Sequence, residues 1–399
     1  MIVHQRANKM KTKDIVEEID SELIIRLTKK LVSMDSQNPP GKCNHLAKFL
    51  EEECQKLGFK TEIYALDENR HNIVVSFGEG EKDIMLSGHL DTVPVGDLSN
   101  WKYPPLEATE ENGKLYGRGT ADMLGGVATL IGVMELLHRK KIKFNYRIVF
   151  AGTADEEVGM HGALHLQEQG VMDNVECLII TEATALRVGI AEKGPYWIRM
   201  HIKGRSAHGS MPDVGINAIE GACIGIKHLK EIIPETEHDL LGKTTVNIGI
   251  IKGGGKINVV PDECFVDCDF RLVPGVDQKE FDKKISQLMI KLSKEYSCNY
   301  SHEILHSIPA LSTSEDTPII QSLLQWSNEI AQHQIEPIGL TYGTDAAALI
   351  PPRDIPFAII GGGSSSILHQ ANEYVEISEL IDAAKIIAAA IIDTYGEKD

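Results

Sequence analysis

The sequence predicts an α/β fold built from two domains, one of which is inserted into the other. The chain has 399 residues, more than a single hydrophobic core usually serves. Helical and strand-like patterns alternate through the first half and resume near the C-terminus, which is typical of α/β architecture. Residues 194–306 follow a different order of elements. We therefore expect a discontinuous large domain at 1–193 and 307–399, with a smaller domain inserted at 194–306.

The large domain begins with two predicted helices and continues with short strands. Apolar residues at helical spacing predict helices at 21–34 and 45–57, and Pro39-Pro40-Gly41 and Gly58 end them. Alternating or continuous apolar runs predict the strands of this domain, at 60–64, 72–77, 83–87, 146–151 and 176–180. Two further helices are expected at 125–138 and 377–395.

The smaller domain has a pattern of its own. Alternating residues predict strands at 196–203, 244–251 and 258–272, and apolar spacing predicts helices at 215–232 and 278–296. The order is β-α-β-β-α, so we expect a self-contained α+β unit.

The composition excludes several classes of partner. The chain carries 40 Lys+Arg against 58 Asp+Glu, a formal net charge of −18, which repels phosphate backbones and anionic membranes. No apolar run approaches the ~18–20 residues that span a bilayer. The seven cysteines form no CxxC pair, and the first residues lack the apolar core of a secretory signal. We expect no nucleic-acid partner, no membrane partner and a cytoplasmic location.

His89 and Asp91 stand two residues apart at the end of an apolar strand, in the run SGHLDTVP. Alternation places both side chains on one side if the strand continues. A carboxylate that accepts the second ring N–H of a metal-bound histidine fixes its tautomer and raises its basicity. The pair suits a metal ligand and the residue that orients it, and a solvated histidine in a turn is the alternative.

Further carboxylates and a histidine lie at the ends of other predicted elements. Asp122 precedes a helix in YGRGTADMLGG, where a simple helix cap is the alternative. Glu156 and Glu157 follow the strand YRIVFA in DEEVG, where a solvated acidic loop is the alternative. Glu182 follows the strand ECLII in TEAT, and His369 follows a glycine-rich turn in LHQANE. Ligands of α/β sheets collect at the carboxyl ends of strands, and imidazole with carboxylate groups suits one or two zinc-like ions.

These five motifs, in this order, closely resemble those of the M20 metallopeptidase and deacylase family. That family includes acetylornithine deacetylase, succinyl-diaminopimelate desuccinylase, glutamate carboxypeptidase and aminoacylase. The resemblance covers nearly the whole chain, from Leu23 to the last helix. It implies a zinc-peptidase-like catalytic domain with an inserted ferredoxin-like lid that also forms a homodimer. It further implies two divalent metal ions, most commonly zinc, with cobalt or manganese as alternatives.

The resemblance also implies a role for individual residues. Carried onto matching positions, the metal ligands are His89, Asp122, Glu157, Glu182 and His369. Asp122 would bridge both ions, His89 and Glu182 would hold one, and Glu157 and His369 the other. Asp91 would orient His89, and Glu156 would be the general base.

In the smaller domain, SAHGSMP resembles the lid motif whose histidine stabilises the oxyanion of the reaction, which here is His208. Asn258 in KINVVPD and Arg271 in DFRLVPG resemble the lid residues that hold the substrate carboxylate. An ion pair between Arg271 and Asp267 or Asp269 is the alternative for that arginine.

The expected activity is that of a metal-dependent amidohydrolase of linear amide bonds, an enzyme of amino-acid biosynthesis. It would remove the acyl group from a small N-acyl amino acid, with Glu156 as the base. A di- or tripeptidase or a carboxypeptidase, acting on short peptides with the same centre, is the alternative. A non-catalytic metal- or ligand-binding relative is an alternative of another class. No GxSxG elbow is present, which argues against a serine hydrolase.

Overall fold

The computed structural model of the chain describes residues 10–397. The described chain divides into two compact units. The large unit comprises residues 10–190, 313–338 and 344–397, and the small unit comprises 191–312 and 339–343. The predicted mixed α/β fold is confirmed. The segment 339–343 is a part of the small unit that the sequence pattern did not indicate.

The helices lie close to the predicted ranges where a prediction was made. They are α1 (Ser21–Val32), α2 (Asn44–Lys56), α3 (Leu124–Arg139), α4 (Glu156–Gly159), α5 (His161–Glu168), α6 (Ala218–Glu231), α7 (Gln278–Glu295), α8 (Pro318–Ala331), α9 (Ala346–Leu349) and α10 (Ile377–Tyr395). Residues 10–16 are helical as well. Helix α6 begins later than expected because Asn217 caps it, and the Asn217 side chain accepts the N–H groups of Ile219 and Glu220.

The strands include several short ones that the sequence pattern did not reveal. They are β1 (Lys60–Ala65), β2 (His71–Phe77), β3 (Lys82–His89), β4 (Thr109–Glu111), β5 (Lys114–Tyr116), β6 (Tyr146–Thr153), β7 (Val175–Ile180), β8 (Gly189–Glu192), β9 (Gly194–Lys203), β10 (Glu237–His238), β11 (Gly242–Lys243), β12 (Thr245–Gly253), β13 (Glu263–Leu272), β14 (Asn299–Ser307), β15 (Leu311–Ser312), β16 (Ile338–Leu340), β17 (Phe357–Ile359) and β18 (Tyr374–Glu376).

The main sheet of the large unit runs in the order β1-β2-β6-β3-β7-β17-β8. Its central strands β6, β3, β7 and β17 pair in parallel. They are buried along most of their length, which explains why their sequences read as nearly continuous apolar runs. Helix α3 packs against β3. Because these strands are parallel, their carboxyl ends share one edge of the sheet, and the candidate site lies there.

The small unit is a four-stranded antiparallel sheet in the order β12-β13-β9-β14. With α6 and α7 between the strands, the chain order is βαββαβ, the ferredoxin-like arrangement. One face of the sheet is apolar and packs on the helices, and its Ile198, Met200 and Phe270 belong to the same buried cluster as Ile285 of α7. The sixth element, β14, was not predicted because it is mostly polar and exposed. The strand expected at 258–272 begins only at Glu263.

Two further features of the described residues bear on function. All seven cysteines are free, and Cys223 alone among them is exposed. Within residues 10–397, no helix is both long enough and apolar enough to cross a membrane.

Candidate metal centre

Five separate segments of the large unit carry the predicted ligands. Strand β3 ends at His89, and Glu182 follows the end of β7 by two residues. Glu157 lies in the short helix α4, just beyond the end of β6. Asp122 precedes α3, and His369 lies in the chain between β17 and β18. The structure brings all five together in two groups of potential ligand atoms.

The first group is His89, Asp122 and Glu182, and all three are buried. His89 Nε2 lies 3.1 Å from Asp122 Oδ1 and 3.8 Å from Glu182 Oε1. One nitrogen and two carboxylate oxygens thus converge within 4.8 Å of one another, a donor set that suits a divalent cation such as zinc.

The second group is Asp122, Glu157 and the exposed His369. His369 Nε2 lies 3.1 Å from Asp122 Oδ2 and 3.3 Å from Glu157 Oε2. Asp122 therefore turns one oxygen towards each histidine. Asp122 is thus the one residue that belongs to both groups of potential ligand atoms found among the described residues.

The chemistry of these residues fits two cations. Glu157 Oε1 is buried and has no hydrogen-bond partner among residues 10–397, an arrangement that is unfavourable for a carboxylate without a positive neighbour. Burial raises the pKa of Glu182 well above its ordinary value, and the nearby Asp122 carboxylate acts in the same direction. The set offers imidazole nitrogen and carboxylate oxygen donors, a combination that zinc, cobalt and manganese all accept.

Asp91 is placed differently from the expectation. His89 Nδ1 donates to the main-chain oxygen of Asp91 at 2.9 Å, and the Asp91 carboxylate lies 3.8 Å away. A carbonyl can only accept, so Nδ1 carries the proton and Nε2 is left to face the site. The carboxylate instead accepts the main-chain N–H groups of Glu156 at 3.1 Å and Glu157 at 3.2 Å. It also accepts from Asn38 Nδ2 at 2.8 Å.

Glu156 begins α4, directly after Asp155, which has the left-handed φ of 68°. Burial raises the pKa of Glu156 well above its ordinary value, the Asp345 and Glu157 carboxylates add to the rise, and His89 opposes it. A carboxyl group with a raised pKa is suited to take up a proton and release it again.

Glycines allow the ligand-bearing segments to approach closely. A Cβ on Gly126 of α3 would lie 2.6 Å from the main-chain oxygen of Thr181, next to Glu182. A Cβ on Gly88 would lie 3.0 Å from side-chain atoms of Met123 and Val127. The start of α3 therefore rests directly on the ends of β3 and β7.

Asp345 is a buried carboxylate whose charge acts on the candidate site, raising the pKa of Glu156, and the sequence pattern did not reveal it. It is buried at the start of α9, and it accepts a hydrogen bond from the Thr153 hydroxyl. Its other oxygen, Oδ1, is buried and has no hydrogen-bond partner in the part of the chain that the structure describes. Burial raises its pKa to about 6, while Thr153 and His89 act in the opposite direction. The only signal in the sequence is one acidic residue ahead of the apolar run AAALI.

The predicted residues of the small unit lie on its surface. His208 is exposed, and its Nδ1 lies 2.8 Å from the Ser210 hydroxyl. The segment of Asn258, also exposed, runs beside it, and the N–H of Gly209 donates to the Asn258 main-chain oxygen at 2.8 Å. Arg271 forms an ion pair with Asp269 at 3.0 Å, so the alternative considered for this arginine occurs here.

The chain matches known proteins along most of its length. It matches the model of peptidase family M20/M25/M40 over residues 85–393. It is 31% identical to a probable succinyl-diaminopimelate desuccinylase of Staphylococcus aureus (strain N315), over 94% of this chain and 98% of that protein. A tripeptidase from Staphylococcus aureus subsp. aureus Mu50 has a similar fold, with a TM-score of 0.76 at 22% identity, over 94% of this chain and 99% of that one. A dinuclear metal-binding peptidase from Bacillus subtilis is similar as well, with a TM-score of 0.73 at 15% identity, over 94% and 98%.

The family match begins within β3, four residues before His89, and extends beyond His369. It therefore contains every segment that forms the two groups of ligand atoms. This match and the named relatives show that the chain belongs to peptidase family M20/M25/M40 and is a metal-dependent hydrolase.

Proposed function

We propose that this hydrolase removes the acyl group from an N-acyl amino acid, as a desuccinylase or deacetylase does. The observation that carries the proposal is the pair of ligand groups that share Asp122, with Glu156 beside them. The name of the relative with 31% identity supports an acyl group as the part released.

Some of the residues at the edge of the sheet would bind the ions, and others would transfer protons. One ion would be held by His89 and Glu182, and the other by Glu157 and His369. Asp122 would contribute to both. We propose zinc, with cobalt or manganese as alternatives. Divalent ions supply Lewis acidity, which polarises a carbonyl group and lowers the pKa of water.

Glu156 carries the proton in this scheme. Its carboxylate takes a proton from the attacking water and delivers it to the leaving nitrogen, so it acts as base and then as acid. The Asp91 carboxylate holds the main-chain N–H of Glu156 and thereby fixes the start of the helix that presents the base.

For the small unit we propose the roles of a lid and of the dimer contact. His208 would donate a hydrogen bond to the oxyanion, a contribution of about 3 kcal/mol. Asn258 and Arg271 would hold the substrate carboxylate, with Arg271 exchanging Asp269 for the substrate in a bidentate pair. Exposed apolar side chains on this unit, among them Ile219 and Ile257, support a homodimer because such groups mark interaction surfaces. The free thiols support a cytoplasmic location.

A di- or tripeptidase or a carboxypeptidase is the second candidate. The observation that favours it is the similarity of the fold to that of a tripeptidase. The same ligand groups and the same proton carrier would serve either reaction.

An assay of the purified protein over both substrate classes distinguishes the candidates. The panel contains N-succinyl and N-acetyl amino acids, dipeptides and tripeptides, each with the protein as isolated, after chelation, and after zinc, cobalt or manganese is restored. We expect chelation to abolish hydrolysis of an N-acyl amino acid and an added ion to restore it. Activity on peptides alone would replace the proposal with the second candidate. Activity that survives complete removal of metal would overturn both.

A further inference from the structure

Glu373 is a fully buried carboxylate that contacts the segment carrying Asp122. Its Oε1 accepts three main-chain N–H groups, from Gly119 at 3.0 Å, Ala121 at 3.0 Å and Asp122 at 3.2 Å. Main-chain N–H groups of neighbouring residues that converge on one oxygen form a concave site for an anion. The side chain of Glu373 therefore fixes the path of the backbone that leads into Asp122.

The other oxygen of Glu373 accepts a hydrogen bond from Arg118 Nη1. Arg118 is itself buried. The main-chain oxygen of Glu373 accepts the N–H of Gly117 at 2.9 Å, so the two segments are joined at a second point. A buried ion pair retains its charges only when further hydrogen bonds satisfy both partners, and the three N–H groups do this for the carboxylate.

Glu373 also stands four residues after His369. The segment between them is held at Asn372, whose Nδ2 donates to the Asn100 main-chain oxygen at 2.9 Å and whose Oδ1 accepts the N–H of Lys102 at 2.6 Å. His369 and Asn372 both have left-handed φ angles, 63° and 64°, so the segment follows a specific path. The carboxylate of Glu373 thus links the segment of one ligand, His369, to that of another, Asp122.

We propose that Glu373 is a positioning residue for the metal centre: by accepting three main-chain N–H groups it sets Asp122 against His369, and so raises the affinity of the Asp122, Glu157 and His369 group for its ion. The inference rests on the two-ion centre of the proposed function but not on the substrate. The competing explanation is that Glu373 only neutralises the buried charge of Arg118.

Two double variants separate these explanations. Arg118→Met with Glu373→Gln removes the ion pair but keeps an oxygen that can accept the three N–H groups. Arg118→Met with Glu373→Leu removes the ion pair and that oxygen. The two proteins differ only at position 373, where glutamine and leucine are of similar size. A difference in zinc affinity between them therefore reports on the hydrogen-bond acceptor and not on the charge.

The measurement is the equilibrium binding of zinc to the metal-stripped proteins, by competition with a chromophoric chelator at 25 °C, alongside the midpoint of thermal unfolding. We expect the leucine double variant to bind one of two ions about 10–100-fold more weakly, and the glutamine double variant to stay within a few-fold of the wild type. Equal affinity in the two double variants would overturn the inference.

A second variant and a control cover the case in which the leucine double variant does not fold. Glu373→Asp keeps the charge beside Arg118 but withdraws the carboxylate by one methylene, and we expect it to weaken the same ion about tenfold. Affinity of Glu373→Asp equal to the wild type would overturn the inference.

The control is Asp83→Leu with Arg147→Met, which removes the ion pair of 2.6 Å at the start of β3 and β6. It should leave zinc affinity unchanged, whatever its effect on the unfolding midpoint.

These results are distinct from a failure of the proposed function. If the wild-type protein binds two ions but hydrolyses no N-acyl amino acid, the substrate proposal is wrong. The zinc-binding measurements would still decide the role of Glu373. A wild-type protein that binds no zinc would overturn both.

Discussion

The Asp91 carboxylate accepts the main-chain N–H of Glu156 at 3.1 Å. The same residue orients His89 through its main-chain oxygen at 2.9 Å. Asp91 therefore serves the ligand through its backbone and the proposed base through its side chain. These two roles can be separated by substitution, because the carbonyl remains when the carboxylate is removed.

The first prediction concerns the side chain of Asp91. In Asp91→Ala the N–H groups of Glu156 and Glu157 lose their acceptor, so Glu156 is less well placed and kcat should fall about 10–100-fold. His89 keeps its carbonyl partner, so the protein should still hold two ions, as determined by elemental analysis. Asp91→Asn retains one acceptor oxygen and should lose less activity. Loss of an ion in Asp91→Ala would show that the carboxylate supports the ligand after all.

The second prediction tests the proton carrier. Glu156→Gln or Glu156→Ala removes the group that accepts and delivers the proton, and kcat should fall by about 10²–10⁴-fold. Metal content should match the wild type, because Glu156 belongs to neither group of ligand atoms. Glu168→Gln, at the exposed end of α5, is the control and should be fully active. Normal turnover in Glu156→Gln would exclude the assigned role.

The third prediction concerns the small unit. His208 is exposed, with Ser210 as its side-chain neighbour, so His208→Ala should unfold at the same temperature as the wild type. If His208 donates a hydrogen bond to the oxyanion, kcat should fall about 10²–10³-fold with metal content unchanged. Steady-state kinetics and elemental analysis of one preparation provide both values. A variant that loses metal instead would contradict the proposed role.

The fourth prediction is a pH dependence of stability in the metal-free protein. Burial raises the pKa of Asp345 from 3.8 to about 6, so the folded state binds this proton more tightly than the unfolded state. The resulting stabilisation is present below pH 3.8 and is lost as the pH rises through 6. Asp345→Asn cannot ionise, so its unfolding midpoint should rise relative to the wild type between about pH 4 and pH 7.

The control for this measurement is Asp239→Asn, at an exposed position of the small unit, which should follow the wild type at every pH. A difference between Asp345→Asn and the wild type that stays constant across this range would show that Asp345 does not bind the proton.

The fifth prediction concerns the contact between α3 and the end of β7. In Gly126→Ala the new Cβ would meet the main-chain oxygen of Thr181 at 2.6 Å, and neither backbone can move freely. The variant should lose about 1–3 kcal/mol in free energy of unfolding, measured by urea titration. In Gly255→Ala no atom of residues 10–397 lies within 4 Å of the new Cβ, so this variant should be neutral. Equal stability of the two variants would show that α3 can shift.

The sequence was most informative where chemistry and pattern coincide at the ends of buried strands. His89 and Glu182 follow apolar runs that indicate parallel strands, and such strands end at a common edge. Their division with Asp122, Glu157 and His369 into two groups of ligands was expected only from the resemblance to a family, since spacing along a chain does not determine which loops meet.

The partners of these ligands were harder to predict. Glu373 lies in a motif that was recognised, yet its role depends on N–H groups more than 250 positions away along the chain. Asp345 has no local pattern around it that indicates a site. Asp91 was assigned by the usual preference of imidazole for a carboxylate, whereas the local turn brings its carbonyl closer.

Strand β14 of the small unit lacks the apolar alternation that reveals a half-buried strand because most of it is exposed.

The wide separation of the ligands along the sequence has a mechanical consequence. Residues 89, 122, 157, 182 and 369 lie 25 or more positions apart along the sequence. Ions held among them would therefore act as cross-links that close large loops. Unfolding any one of these segments would release an ion, and the folded state gains stability with the free ion concentration. Resistance to proteolysis should therefore rise with that concentration throughout the large unit, and a chelator should expose cleavage sites far from the ligands themselves.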